Sequence, residues 1–178
     1  MTVTIDGSAS VTINSGAVLG LNSATAVAST SGTSIDFTSI PSWVKRITVM
    51  FTGVSTSGTS IVQLQLGDAG GVETTGYAGV TVRLGGSSNV YTSAYSSGFL
   101  TQTVMIASST YAAQIVLTNI SGNMWVMSGM TANTTSPSND SCFMCGDKTL
   151  SATLDRVRIT TVNGTDTFDA GTINILYE

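Results

Sequence analysis

Hydrophobic and polar residues alternate with a period of two along most of this chain. In Ile61–Leu66, for example, Val62, Leu64 and Leu66 fall on one side and two glutamines on the other. Such alternation is typical of β-strands with one buried face. We predict strands at Val44–Phe51, Ile61–Leu66, Gly79–Leu84, Phe99–Ile106, Ala112–Ile120, Asn123–Met130, Leu154–Val162 and Gly171–Tyr177. No amphipathic helix of about ten residues is visible, so the chain is predicted to be all-β: an antiparallel β-sandwich, jelly-roll-like, with a short N-terminal arm or hairpin.

Glycine-containing dipeptides mark the turns between these strands. Asn163-Gly164 lies between two strand-like runs and predicts a β-hairpin with a type I′ turn, in which both central residues have positive φ. Gly70-Gly71 and Gly85-Gly86 predict loops.

The beginning of the chain differs from the rest. Val3–Gly7 and Val11–Gly16 are two similar strand-like pieces, followed by small uncharged residues at 24–31. Because an isolated two-stranded unit is marginally stable in water, it needs a surface to pack on. We predict an N-terminal arm at 1–31, which either attaches the protein to a partner or forms an extra edge hairpin, and a β-sandwich domain at 32–178.

Charged residues are scarce, and their scarcity excludes several classes of function. They make up 9% of the 178 residues, with six Lys and Arg, ten Asp and Glu and a net charge of −4, whereas about 25% is usual. So few cations argue against a nucleic-acid partner, since phosphates are bound by clustered Lys and Arg. Histidine is absent, so catalysis by an imidazole is excluded.

The mean hydropathy of +0.31 is high for a free monomer. We therefore expect copies of the chain to cover part of its nominal surface. The sequence contains no run of about 18 apolar residues, so no transmembrane helix is predicted. Residues 1–6 lack the basic start and apolar core of a secretion signal, so we expect the protein to be made and assembled in a cytoplasm.

Cys142-Phe-Met-Cys145 is a C-x-x-C motif. A zinc site needs a second pair of ligands, and the chain has no further Cys and no His. The strand-to-helix context of a thioredoxin-type motif is missing as well. We predict that both cysteines are small buried hydrophobic residues, and we predict no cofactor.

Four acidic residues lie in glycine-containing loops, where Ca²⁺ binding and turn formation are the alternatives: Asp68, Glu73, Asp166 and Asp169. No Asp-x-Asp-x-Asp ladder is present, which favours turn formation. Since Glu73 and the terminal Glu178 are the only glutamates, the sequence argues against a glycosidase as well.

Three methionines surround a tryptophan on one predicted strand. Met124, Val126 and Met130 share one face of the strand, and Trp125 and Met127 share the other. Core packing and a subunit interface both explain the pattern, so the three methionines are candidate interface residues.

The segment from Gly32 to Val49, and above all its core Ile40-Pro-Ser-Trp-Val-Lys-Arg46, resembles a module of bacteriophage virion proteins. Gln65-Leu-Gly67, Gly76-Tyr77 and the ending Gly171-Thr-Ile-Asn-Ile-Leu-Tyr-Glu178 extend the resemblance over residues 32–178. The module forms the C-terminal ends of tail-fibre proteins and small stand-alone virion proteins. The resemblance implies a β-sandwich on the outside of a phage particle, commonly a trimer, and it implies no catalytic residues.

Three residues of that core are candidate interface residues. Trp43 is a large hydrophobic anchor, and Lys45 and Arg46 are adjacent, so their side chains point to opposite faces of a strand. We expect one of the two cations to face inward or to meet another subunit, where it pairs with a carboxylate. The alternative is a strand edge protected by charge.

These observations predict a non-enzymatic phage virion protein, a homotrimer exposed on the particle for capsid decoration or tail-fibre-type host attachment. Residues 1–31 are predicted to contact other virion proteins. The alternative is a free carbohydrate-binding module or adhesin, because Ser, Thr, Asn and Gln side chains donate and accept hydrogen bonds to a surface glycan. The candidate glycan-contacting residues are Tyr77, Tyr91, Tyr95 and Trp125, with burial in the core as the alternative. A depolymerase is the third hypothesis.

Overall fold

The computed structural model describes residues 11–13, 16–18, 20–85, 90–107, 109–135 and 140–178. The predicted all-β class is confirmed: within these residues every regular element is a strand. The strands are β1 (Val11–Ile13), β2 (Gly16–Val18), β3 (Asn22–Ser23), β4 (Val27–Ala28), β5 (Ser34–Phe37), β6 (Arg46–Thr56), β7 (Val62–Asp68), β8 (Gly71–Val72), β9 (Tyr77–Leu84), β10 (Val90–Tyr95), β11 (Phe99–Leu100), β12 (Tyr111–Ser121), β13 (Met124–Asn133), β14 (Ser141–Thr149), β15 (Leu154–Thr161) and β16 (Phe168–Tyr177).

Two antiparallel sheets form the sandwich. The large sheet has the order β10-β9-β14-β13-β12-β6-β16-β3, and β4 also pairs with β16. The small sheet has the order β11-β7-β15-β5, and β8 pairs with β7. The chain passes repeatedly between the sheets, since β7 follows β6 of the large sheet and β15 lies in the chain between β14 and β16. The strands β1 and β2 form a separate two-stranded sheet.

The hydrophobic core lies between the two sheets. Alternate residues of each strand point inward and are fully buried, among them Leu64 and Leu66 of the small sheet and Ile115 and Leu117 of the large one. Burial of each such side chain contributes about 1.5–3 kcal/mol. The Tyr77 and Phe99 rings meet edge to face across the sandwich, with 4.9 Å between their centroids.

Three predicted features of secondary structure are wrong in detail. Of Phe99–Ile106, Phe99–Leu100 alone is a strand, although Thr101 also bonds the Val62 carbonyl through both its N–H and its hydroxyl. Asn163-Gly164 forms a turn, but β15 and β16 belong to different sheets, so no hairpin results. The strands β5, β10 and β14 were not predicted, nor were the two-residue strands β3, β4 and β8.

Part of the predicted N-terminal arm lies along the edge of the large sheet. We call residues 22–29 the strap: β3 and β4 pair with β16, and Ala24 N–H donates to the Ile175 carbonyl at 3.0 Å. Ser29 is fully buried and donates to the Gly171 and Ala170 carbonyls at 2.9 and 2.8 Å. The strap is thus a single interrupted strand at the β16 edge, not a hairpin, and whether residues 1–31 also contact a partner stays a prediction. Val3–Gly7 and Gly86 lie outside the described residues.

Candidate functional site

The outer face of the large sheet, which points away from the core, carries several exposed hydrophobic side chains, among them Val80, Met130 and Phe143. Residues that stand directly opposite each other on neighbouring strands form rows across this face. The first row consists of Met50, Gln114, Met130, Phe143 and Val82. The second row, two residues along each strand, consists of Thr48, Val116, Ser128, Cys145 and Val80.

The two rows differ in height. Met130 and Phe143 of the first row are 53% and 43% exposed. Beside them, Ser128 and Cys145 are the small side chains at the centre of the second row. The result is an open groove of about 550 Å³, lined mainly by the two rows. The outer face thus has large side chains directly beside a depression.

Charge is confined to the border of the outer face. Neither row contains a charged residue, and the row beyond the first is also neutral, with Ala112, Ala132, Ser141, Leu84 and Val90. The row beyond the second contains the exposed Asp147 and, at its end, Arg46, which forms a 3.1 Å ion pair with Glu178. An apolar centre with a polar rim is the usual composition of protein–protein interfaces.

The predicted interface methionines are split between the two faces of β13. Met124 and Met130 lie on the outer face, 40% and 53% exposed, as the alternation predicted. Met127 is 2% exposed and Trp125 3% exposed, so both belong to the core. Core packing and surface exposure therefore both occur on this one strand.

Around the Trp43 segment, the expectation that one of the two cations faces inward is wrong within a single chain. Lys45 and Arg46 are both exposed, and Lys45 Nζ donates to Asn119 Oδ1 at 3.2 Å. Trp43 is partly buried and packs against Tyr177, with 6.0 Å between ring centroids.

The two cysteines point to opposite faces of β14. Cys142 is buried in the core, as predicted, and burial raises the pKa of its thiol. The prediction of burial is wrong for Cys145, which is exposed in the groove of the outer face. The cysteines are three positions apart, an odd number, so strand alternation places them on opposite faces.

The predicted glycan-contacting aromatic residues are mostly core residues. Tyr77 and Tyr95 are 4% and 8% exposed, and like Trp125 they offer no ring face for a sugar to stack on. Tyr91 alone of the four is exposed, at 46%, and the Arg83 guanidinium lies 4.6 Å from its ring centroid.

A cluster of polar side chains joins the loops at one end of the sandwich. Ser151 Oγ lies 2.7 Å from Asp68 Oδ2 and 2.8 Å from Glu73 Oε1, and Ser151 N–H also donates to Glu73 at 2.7 Å. The buried Lys148 ammonium donates to Glu73 and to the Thr149 carbonyl. The hydrogen bond from Ser151 lowers the pKa of Asp68, so this carboxylate stays ionised. The serine proton is already engaged by carboxylates, and the cluster therefore fastens loops together.

The other acidic residues considered for calcium lie apart from this cluster. Asp166 accepts hydrogen bonds from Ser60 N–H at 2.9 Å and from Asn163 Nδ2 at 2.8 Å. Asp169 accepts a hydrogen bond from the Ser55 hydroxyl. In the part of the chain that the structure describes, no three metal-binding side chains come together.

The outer face of the small sheet is polar. A shallow trough of about 250 Å³ there is lined by hydroxyl, amide and guanidinium groups, including those of Ser34, Gln63, Gln65, Arg158 and Thr160. Gln65 Nε2 donates to the Ser97 carbonyl at 2.9 Å, which fixes its amide. The Arg158 guanidinium is neutralised by Asp36 through two hydrogen bonds of 2.7 and 2.8 Å.

Residues 20–85 and the later described segments include no helix long and apolar enough to cross a membrane. Comparison of the chain with protein-family models, with curated proteins and with solved structures gives no match. The link to phage virion proteins therefore stays a prediction from the sequence resemblance.

Proposed function

We propose that this chain is a non-enzymatic structural protein of a bacteriophage virion, exposed on the particle as a homotrimer. It serves capsid decoration or tail-fibre-type host attachment. The observation that carries the proposal is the uncharged outer face of the large sheet. Contiguous hydrophobic patches of this kind mark interaction surfaces. A protein that works inside an assembly keeps such a face covered, whereas a free monomer exposes it to water.

Two further observations support an assembled protein. The polar side chains over much of the surface are neutral amides and hydroxyls, which leaves little charge to repel neighbouring copies. The strap pairs with the β16 edge of the large sheet, so this edge has few free backbone groups with which a strand of another chain could pair. Association is therefore directed to the outer face.

Mass and location test this proposal. Light scattering on the purified chain should give three times 18.2 kDa, or a multiple of that mass, at micromolar concentration. Quantitative mass spectrometry of purified phage particles should find the chain in the virion, with a high copy number for decoration and a low one for a tail fibre. A monomer in solution that is absent from particles contradicts the proposal.

The polar trough on the small sheet favours a second candidate function, binding of a neutral glycan. Thr33 and Asn163 at this trough are exposed and Ser34 is half-buried, so their hydroxyl and amide groups are within reach of a sugar. Fixed amides and hydroxyls in a shallow depression suit the hydroxyl groups of a sugar, and the neutralised Arg158 adds no net charge.

A glycan array with the wild type and two matched variants tests this candidate. Ser34→Ala removes a hydroxyl from the trough, and Ser128→Ala removes a hydroxyl from the outer face of the large sheet. The glycan-binding function predicts binding that is weakened in Ser34→Ala and kept in Ser128→Ala. No binding by the wild type, or equal binding by all three chains, contradicts it.

A further inference from the structure

We propose that two copies of this chain pack with the outer faces of their large sheets together, so that the first row of each copy lies over the second row of the other. The inference rests on the proposed function, since it assumes that the chain works in an assembly. It adds the partner, a second copy, and the geometry of the contact.

The relief of the outer face is complementary to itself. Met130 and Ser128, like Phe143 and Cys145, are two residues apart on one strand, one in each row. A two-fold axis parallel to the rows and midway between them exchanges the rows and keeps each strand over its counterpart. Phe143 then lies over the partner's Cys145, and Met130 lies over the partner's Ser128. Each large side chain thus enters the depression of the other copy.

The size of the face suits a stable pair. Seven strands from β10 to β16 lie side by side, and four rows cover their outer side. With strands about 4.8 Å apart and rows about 6.8 Å apart, the face measures about 34 by 27 Å, or about 900 Å². A standard interface buries about 800 Å² on each partner. Sheets that pack face to face through hydrophobic side chains are a common arrangement, about 10 Å apart.

The chemistry of the face selects a second copy over a charged partner. Neither row offers a charge with which an acidic or basic surface could pair, and burial of an unpaired charge is costly. A second copy brings an equally neutral surface. The border residues Asp147 and Arg46 remain near water at the rim, where a charge costs little.

A thiol at position 143 tests the predicted contact directly. In Phe143→Cys the new thiol faces the partner's Cys145 across sheets about 10 Å apart, which is too far for a disulfide. A short bismaleimide cross-linker should therefore yield a covalent dimer on a denaturing gel. A bridge between the two thiols of one strand, which lie about 6.7 Å apart, leaves the mass of a monomer on the gel and is not mistaken for the dimer. Val162→Cys, at a 50% exposed position off the face, is the matched control and should stay monomeric on the gel.

A charge on the face tests the association itself. Phe143→Glu should reduce the mass measured by light scattering and make Cys145 react with a thiol reagent at least tenfold faster, whereas Val162→Glu should change neither. Circular dichroism and thermal unfolding verify that both variants are folded. Equal masses for the two variants overturn the pairing.

The outcomes separate this inference from the proposed function. An even-numbered oligomer with a specific Phe143→Cys cross-link supports the pairing, and a hexamer is the form that satisfies both proposals. A trimer without the cross-link overturns the pairing and leaves the homotrimer standing. A monomer with freely reactive Cys145 overturns both.

Discussion

Replacement of Glu73 by Gln removes one charge from a buried ion pair and preserves the shape of the side chain. Lys148 is 4% exposed, and its ammonium group donates to Glu73 and to the Thr149 carbonyl and lies 5.5 Å from the Tyr77 ring centroid. In the variant, a neutral amide oxygen replaces the carboxylate. We expect the free energy of unfolding at pH 7 to fall by about 2 kcal/mol, the scale of a hydrogen bond to a charged group.

The pH dependence of this loss has a definite sign. Burial acts to raise the pKa of Glu73, but the hydrogen bonds from Lys148 and Ser151 outweigh it, so the pKa lies below its ordinary value of 4.5. A carboxylate with a lowered pKa stabilises the fold above its unfolded-state pKa and loses that contribution as the pH falls through the folded-state value. The difference between wild type and Glu73→Gln should therefore be largest near neutrality and shrink as the pH falls below 4.5 and through the lower folded-state pKa.

Urea unfolding at pH 7 and pH 3, followed by tryptophan fluorescence, measures both effects. Lys148→Met should lower the free energy of unfolding by less, about 1 kcal/mol, because Glu73 keeps the hydrogen bonds from Ser151 and is partly exposed to water. The double variant should be more stable than Glu73→Gln alone, since no unmatched buried charge remains. Equal stability of wild type and Glu73→Gln at pH 7, or losses that simply add in the double variant, would refute the ion-pair argument.

Three further predictions concern glycine conformation, a buried hydrogen bond to Tyr77 and the strap. Gly171→Ala should lower the free energy of unfolding by more than about 2 kcal/mol, because φ is 96° and a Cβ atom would lie 2.5 Å from a carbonyl carbon of β6. Gly122→Ala, in open space with φ of 51°, should lower it by about 1 kcal/mol. Equal thermal melts of the two variants contradict this difference. Tyr77→Phe removes the acceptor of a buried β7 N–H and should cost about 1–3 kcal/mol in urea unfolding; an unchanged midpoint argues against that bond. A chain that begins at Gly20 should melt like the full chain, whereas one that begins at Thr30 exposes the β16 edge and should aggregate on heating, as light scattering would reveal.

Alternation predicted the strands well where one face is hydrophobic and the other polar. On β12 it separated the buried Ile115 and Leu117 from the exposed Gln114 and Thr118. It failed on β14, where Cys142 and Met144 point inward but Phe143 is also hydrophobic. When both faces of a strand are apolar, the pattern contains no information on which face is buried. The same property that hid β14 in the sequence creates the outer face.

The candidate sites were beyond prediction because they depend on packing between distant parts of the chain. Val82 and Phe143 are neighbours only through the register of β9 and β14, and Glu73 reaches Lys148 only after the loops have docked. No local signal specifies such a register. The signal that the sequence does contain is a strand with two apolar faces: Cys142 and Met144 alternate with Phe143 and Cys145 on β14, which indicates a second buried face.

The pairing of the strap with β16 has a mechanical consequence. Asn22 lies opposite Tyr177 in an antiparallel ladder, so the chain enters and leaves the sandwich at the same corner. When the two ends are pulled apart, the force acts first on the strap hydrogen bonds nearest residue 22, so these bonds break one after another and not all at once. The strap should peel away at low force while the sandwich stays intact, and a single-molecule pulling trace would record this as a small early step.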